Sequence, residues 1–250
     1  VSVVISGLLW EGGACSDIVS EMTKMLQALK HRGPDSTGFA LYGNEQDGEQ
    51  VLRFKVAEQE DMKSGFDIHR QVVDRRAAVD TRLKELGVIV TKAEQATEYA
   101  FRYQFKFSGD LKRLIDFVED LESVEILSVG KALELIKDMG DATVVSEQYG
   151  IPGFIGTHAI GHTRMATESD VDIRSAHPYW AYPFNDVSVV HNGQLTNYWT
   201  MRRDLERRGH RFVSNCDSEL IAVYIADAID QGEDLERAMR RSVDVIDGVF

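Results

Sequence analysis

A chain of 250 residues with 43% hydrophobic composition can bury a full core, as one large domain or as one domain carrying an insert. No apolar run approaches the roughly 20 residues that a membrane-spanning helix needs, and a formal net charge of −13 argues against a nucleic-acid partner, since phosphate neutralisation requires a basic face. The opening VSVVISGLLW lacks a basic lead and meets Glu11 directly, unlike a signal peptide. Cys15 and Cys216 are too few for a disulfide framework and too far apart for metal spacing, so a reducing, cytoplasmic setting with no metal site is expected.

In chain order, VSVVISGLLW reads as a core strand that begins at the first residue, whereas termini are normally exposed. EGGACSD is a loop. SDIVSEMTKMLQALKHRG has helical spacing, with Val19, Met22, Leu26 and Leu29 on one face and Ser16 or Asp17 as N-cap. Gly33 and Pro34 stop it, and TGFALYG is a strand expected to pair with the first. Residues 51–150 are richer in charge, with helices expected around 66–85, 110–121 and 130–139 and strands in EYAFRYQFKF and SVEILSV. Strand and helix alternate over 98–139, which suggests a small α/β subdomain with its own sheet.

From 155 onward, IGTHAIGHTRMA and DVSVVHNGQLTN are strand-like, and NYWTMRRDLERRG is a helix stopped by Gly209. Its basic residues alternate with Asp204 and Glu206, the pattern of a solvated helix face. DSELIAVYIADAIDQG is a second helix capped by Asp217 or Ser218, and LERAMRRSVDVIDGVF is a third followed by the start of a strand.

Four stretches could carry chemistry: HRGPDSTG, GHTRMAT, HNGQLTN and NCDSE. Singly, each has a plain reading. HRGPDSTG is a helix-to-strand turn, Asn192-Gly193 a hairpin turn, Asp217 a helix cap, and Arg164 an edge-strand charge. Jointly they make a set that could clamp an α-amino acid. The Arg164 guanidinium forks onto a carboxylate and Asp217 pairs with an ammonium. The Asn192 amide and the Gly193 backbone N–H face an oxyanion forming from a side-chain amide, which is a binding logic for glutamine.

The stretches GLL, HRGPDSTGFALYG, GHTRMAT, SAHP, VVHNGQLTN, RRDLERRG and CDSELIA occur in one order over residues 1–43 and about 155–230. In that order they resemble the class II glutamine amidotransferases, which are N-terminal-nucleophile hydrolases. The resemblance implies an α+β fold: a four-layer α/β/β/α sandwich of two facing antiparallel sheets with helices outside. Residues 1–50 and 151–250 would form the discontinuous amidotransferase domain; the family would begin another core strand at DGVF, so either a C-terminal part is absent or the sheet is completed otherwise. Residues 51–150 would form an inserted α/β subdomain, similar to one in stand-alone amidotransferase subunits of glutamate-synthase-like complexes such as N-methylglutamate synthase.

Residue by residue, the resemblance implies that Arg164 binds the glutamine α-carboxylate, Asp217 its α-amino group, and Asn192 with Gly193 the oxyanion. Thr163, Thr167 and His177 would shape the pocket, and Arg32 would lie near the reacting terminus. His177 is equally readable as a satisfied turn residue before Pro178. The family's nucleophile is a cysteine at the mature amino terminus, on the first core strand, whose own α-amino group serves as base. Aligning the family's second glycine with Gly7 places Val3, which has no nucleophilic atom, at that position. Ser2 is one place off, and Cys15 and Cys216 read as ordinary thiols.

The implied function is a subunit that binds L-glutamine and, if a nucleophile is present, hydrolyses its side-chain amide to supply ammonia to a synthase partner within a hetero-oligomer. The alternative is a catalytically dead glutamine-binding, regulatory or scaffolding subunit. A third reading is a purely structural descendant. No cofactor is implied in this chain; any flavin would belong to the partner.

Overall fold

The computed structural model of the chain describes residues 3–9, 13–33, 35–45, 47–63, 65–164, 173–184 and 186–249. The elements run β1 (Val3–Leu9), α1 (Ile18–Ala28), β2 (Ser36–Gly43), β3 (Gln50–Lys55), α2 (Phe66–Glu85), β4 (Ile89–Gln95), β5 (Ala100–Lys106), α3 (Leu111–Glu119) and β6 (Glu125–Gly130). They continue with β7 (Leu133–Met139), α4 (Ala142–Gln148), β8 (Gly156–Arg164), β9 (Tyr179–Trp180), β10 (Ser188–Val189), β11 (Gln194–Leu195), α5 (Tyr198–Arg207), α6 (Glu219–Asp230), α7 (Leu235–Val245) and β12 (Gly248–Val249).

One antiparallel sheet has the order β1-β8-β2-β7. The expected pairing of β2 with β1 does not form, because β8 lies between them. Val3 and Ser36 both stand opposite Arg164, and β8 stays in register with each strand as far as His158. The tendency of sequence neighbours to pair yields here to a strand contributed from far along the chain. Alternation along the strands then sorts side chains to two faces. Phe39, Leu41, Ile136 and Ala159 share a core with Val19, Met22 and Leu26 of α1. That contact is close enough that a Cβ on Gly161 would stand 2.8 Å from Leu26 Cδ1. Ala40, Tyr42, Leu133 and Ile160 face the other way, against Trp180.

A second antiparallel sheet has the order β4-β5-β3-β6. Its sequence order is strand–helix–strand–strand–helix–strand, the split βαβ arrangement. Ile68, Val72, Val79 and Leu83 of α2, with Leu114, Ile115 and Val118 of α3, pack with Leu52, Phe54 and Phe105 of the sheet. Asp110 caps α3 by accepting from the Arg113 N–H at 3.3 Å.

The helix expected around 130–139 is instead strand β7, paired with β2 along its whole length. Both faces of β7 are buried, so the period-two signature is lost. Its charged residues are tolerated because distant partners meet them. Glu134 receives Arg53 and Arg102, and Asp138 accepts from Tyr99 and Tyr149 at 2.7 Å each. The segment 51–150 is therefore divided. Its first part through β6 builds the second sheet, whereas β7 joins the first sheet and α4 packs beside α1.

Residues 173–249 cover the open face of the first sheet. Short ladders β9–β10 and β11–β12 come first, then α6, whose Ala222 and Ala226 pack on Tyr179 and Ala181. Tyr42 and Ser188 join the layers by a hydroxyl–hydroxyl bond of 2.7 Å. Helix, sheet, ladders and helix follow one another as an α+β sandwich. No helix among the described residues is long and apolar enough to cross a membrane.

Candidate functional site

The site begins with alternation on β8. His158, Ile160, His162 and Arg164 fall on the face turned toward residues 173–249, while Ala159 and Gly161 face α1. Gly38 on the neighbouring β2 lets another segment approach. A Cβ there would stand 1.9 Å from the His177 carbonyl oxygen, so only glycine admits the SAHP turn. His177 consequently stacks on His162, with ring centroids 4.2 Å apart, and meets Tyr179 edge-on at 4.9 Å.

The remaining stretches tie into this group. His191 Nδ1 and Ser218 Oγ are hydrogen-bonded at 2.7 Å, and the Leu195 N–H donates to Asp217 Oδ2 at 2.7 Å. Ser218 Oγ also donates to Asp217 Oδ1 at 3.3 Å. Glu219 accepts from the N–H groups of Val213 and Ser214 and from Ser214 Oγ, which fixes the NCDSE loop. Gly193 fits beneath β12, since a Cβ would stand 1.6 Å from the Val249 carbonyl oxygen.

Burial dominates the electrostatics. It lowers the His162 pKa to about 3, with the Arg164 charge adding to the effect, and holds His177 well below the usual histidine range, aided by His162 and His191. Both rings are neutral near pH 7. His162 Nε2 and both ring nitrogens of His177 are buried without a hydrogen-bond partner among the described residues. A buried polar atom left unpaired costs about 1–3 kcal/mol, so such a concentration marks a place suited to meeting polar groups of a ligand.

Several sequence-predicted residues gather here. Val3 stands opposite Arg164 in strand register. Arg164 donates through Nη1 to the Ser175 carbonyl at 3.3 Å. The turn carrying Arg32 abuts the same strand end: a Cβ on Gly33 would stand 2.7 Å from the Arg164 nitrogen, and the Asp35 N–H donates to the Arg164 carbonyl at 3.1 Å. Arg32 itself is exposed on a short 3-10 turn, and Asn192 and Gly193 are exposed beyond His191. Asp217 is not a simple helix cap; Ser218 occupies the N-cap of α6, and the Asp217 carboxylate binds the backbone of β11. Thr163 departs from expectation, since alternation sends it to the face opposite His162 and Arg164. Thr167 lies outside the described residues.

A family model described as a glutamine amidotransferase domain matches residues 162–250. A putative glutamine amidotransferase of Methanothermobacter thermautotrophicus is 37% identical over 98% of this chain and 79% of its own length. The chain belongs to the glutamine amidotransferases. A glutamine amidotransferase-like protein of Rhizobium meliloti, GlxB, is 31% identical over 92% of this chain and 70% of its own length. Among solved structures, one titled as the allosteric regulatory enzyme of purine biosynthesis aligns with TM-score 0.41 and 16% identity, over 85% of this chain and 33% of that one.

The structure also brings to this group residues given no role in the chemistry read from the sequence: His162, His191, Ser218, Glu219 and Tyr179. The available signal was position, since His162 and His191 sit inside GHTRMAT and HNGQLTN. What strand spacing alone withholds is that both rings turn inward. Beside the histidines, a cleft of about 630 Å³ opens between the first sheet and α7, lined by His158, Ile160, His191, Asn192, Met239 and Val243.

Proposed function

We propose that this amidotransferase chain binds L-glutamine where GHTR, SAHP, HNG and NCDSE meet. Arg164 takes the α-carboxylate through charge-assisted hydrogen bonds, and Asp217 takes the α-ammonium. The Asn192 amide and the Gly193 N–H face the side-chain carbonyl oxygen, where they stabilise negative charge as it develops. His177 and Thr167 complete the pocket wall, with Arg32 at the reacting end, whereas Thr163 supports the strand from behind. The observation that carries this reading is the convergence of four sequence-distant stretches on a buried histidine pair with unpartnered nitrogens.

The position taken for the nucleophile, Val3, lies across from Arg164 and offers no atom to attack the amide. The chain as written is therefore read as a glutamine-binding unit silent in hydrolysis. With a nucleophile at that position, the same arrangement would release ammonia to a synthase subunit in a cytoplasmic hetero-oligomer. In the same reading, residues 1–50 and the region from β7 onward form the amidotransferase unit, with the split βαβ module inserted between them.

The test is calorimetric titration of L-glutamine, run beside an assay of glutamate release, on the chain and on Arg164→Ala. Binding that weakens about 10- to 100-fold in the variant is expected, the value of a charge-assisted pair of about 1.5–3 kcal/mol. Glutamate release should not exceed that of the variant. Absence of glutamine binding, or binding indifferent to Arg164→Ala, would overturn the clamp. Release above the variant would reveal an unassigned nucleophile.

A further inference from the structure

A cavity of about 750 Å³ lies away from this site. It sits where the helix-free face of the second sheet meets the end of the first, beneath the segment Tyr149–Ile155. Gly43, at the far end of β2 from Ser36, lines it. Seven residues of strand at about 3.3 Å each put it about 23 Å from the Arg164 end.

Its wall is built from charged side chains held in fixed positions. Arg53 on β3 and Arg102 on β5 stand directly opposite one another, an arrangement of like charges that destabilises a sheet unless compensated. Glu134, reaching across from β7, compensates both. It accepts from Arg53 Nε at 2.7 Å and takes Arg102 side-on, Nε at 2.8 Å and Nη2 at 2.7 Å. Arg102 Nη1 donates to Glu94 at 2.7 Å, and Lys92 meets the other Glu94 oxygen at 2.8 Å. Of the five N–H groups of a guanidinium, three are thus used. One on each terminal nitrogen of Arg102 has no partner among the described residues.

The charge balance sets the ligand class. Arg53, Lys92, Arg102 and Lys131 face Glu49, Glu94 and Glu134 around the cavity, an excess of one positive charge. Val51, Ile151 and Phe154 supply an apolar side. The volume lies within the range of small-molecule sites. We infer that this cavity is a second binding site, for a small monocarboxylate carrying an apolar group, seated with its carboxylate on Arg102.

The probe is 4-methylpentanoate, titrated calorimetrically into the full chain beside its neutral amide and succinate. The monoanion should bind about tenfold or more tightly than either comparator, and Arg102→Gln should weaken it by a similar factor. Because that change also disturbs the Glu134 cluster, Gly153→Trp provides a second variant. A Cβ at Gly153 meets nothing within 4 Å, so the indole can fill the cavity mouth without straining the backbone, and binding should be lost. Arg164→Ala should leave it unchanged. Absence of binding to the folded chain, a preference for the amide or succinate, survival of binding in Gly153→Trp, or its loss in Arg164→Ala would each overturn the assignment.

Discussion

Two buried polar regions of this chain behave in opposite ways. At the junction of the two sheets, the buried charges are paired with one another. Arg53 and Glu134, both 5% exposed in their side chains, pair through one carboxylate oxygen, and Arg102 takes both oxygens, while Lys137 meets Glu125 at 3.3 Å and the Arg174 carbonyl at 3.2 Å. At the histidine pair, by contrast, several buried nitrogens have no partner among the described residues. Burial without hydrogen bonding is costly, so folding alone gives no reason to retain such groups. The Arg53–Glu134–Arg102 cluster holds the two sheets together and leaves only two Arg102 N–H groups over, whereas the histidine pair leaves most of its ring nitrogens without a partner among the described residues. Polarity by itself does not separate structure from site; the degree of satisfaction does.

The sharpest way to break this comparison is to unbalance the paired side. Glu134→Gln leaves two arginines facing each other with no shared counter-ion, and removing one partner of a buried ion pair costs about 3–5 kcal/mol. Denaturant unfolding should report a loss of that size. A loss below about 1 kcal/mol, the value of an exposed pair, would mean that water already compensates the cluster.

A second experiment sharpens the comparison through acid sensitivity. His162 titrates near 3 in the folded chain and near 6.5 when unfolded. Between these values the unfolded chain binds a proton that the folded chain does not. Stability is therefore lost as pH falls below about 6.5, by up to about 1.4 kcal/mol per pH unit and about 2 kcal/mol by pH 5. His177 acts in the same direction. Glu134 and Glu125 are held below the usual carboxylate range by their cationic neighbours against the opposing effect of burial. Their contribution is complete above about pH 4.3 and is lost only as pH falls through their folded values. Urea unfolding of His162→Asn should accordingly show a flatter profile between pH 6.5 and 5 than the parent chain. Identical profiles would dissociate the histidine pair from acid lability.

The smallest effect belongs to surface charge. Arg207 and Asp204 form a 2.8 Å pair whose side chains are 76% and 51% exposed. Arg207→Ala should change stability by less than about 0.5 kcal/mol. A larger change would show that exposure is a poor guide to the value of charges in this chain.

α5 makes the same point at smaller scale. Its alternating charges read as a solvated face, and Arg207 is solvated, but Arg202 lies over the Phe212 ring at 4.5 Å and donates to the Ser214 carbonyl at 2.9 Å. Nothing in MRRDLERRG distinguishes these two arginines. The residue packed above each of them does.

Local physics was legible where it acts over one or two turns. The apolar spacing of α1 and the long periodic run of α2 lie where the sequence places helices, because a helix is closed by bonds four residues apart. The stretches proposed to clamp glutamine stood out in the sequence because residue type and order mark them. Strand pairing was not, since β8 enters between β1 and β2 from more than a hundred residues away and β7 hides its pattern by burial on both faces. Nor was the inward turn of His162, His177 and His191, which depends on Gly38 and Gly161 letting backbone and helix approach on opposite sides of one sheet. By itself, the sequence determined the short-range elements, the family and the inventory of polar groups. The tertiary structure decided which of those groups meet a partner, because that pairing depends on contacts between segments whose separation no local periodicity encodes.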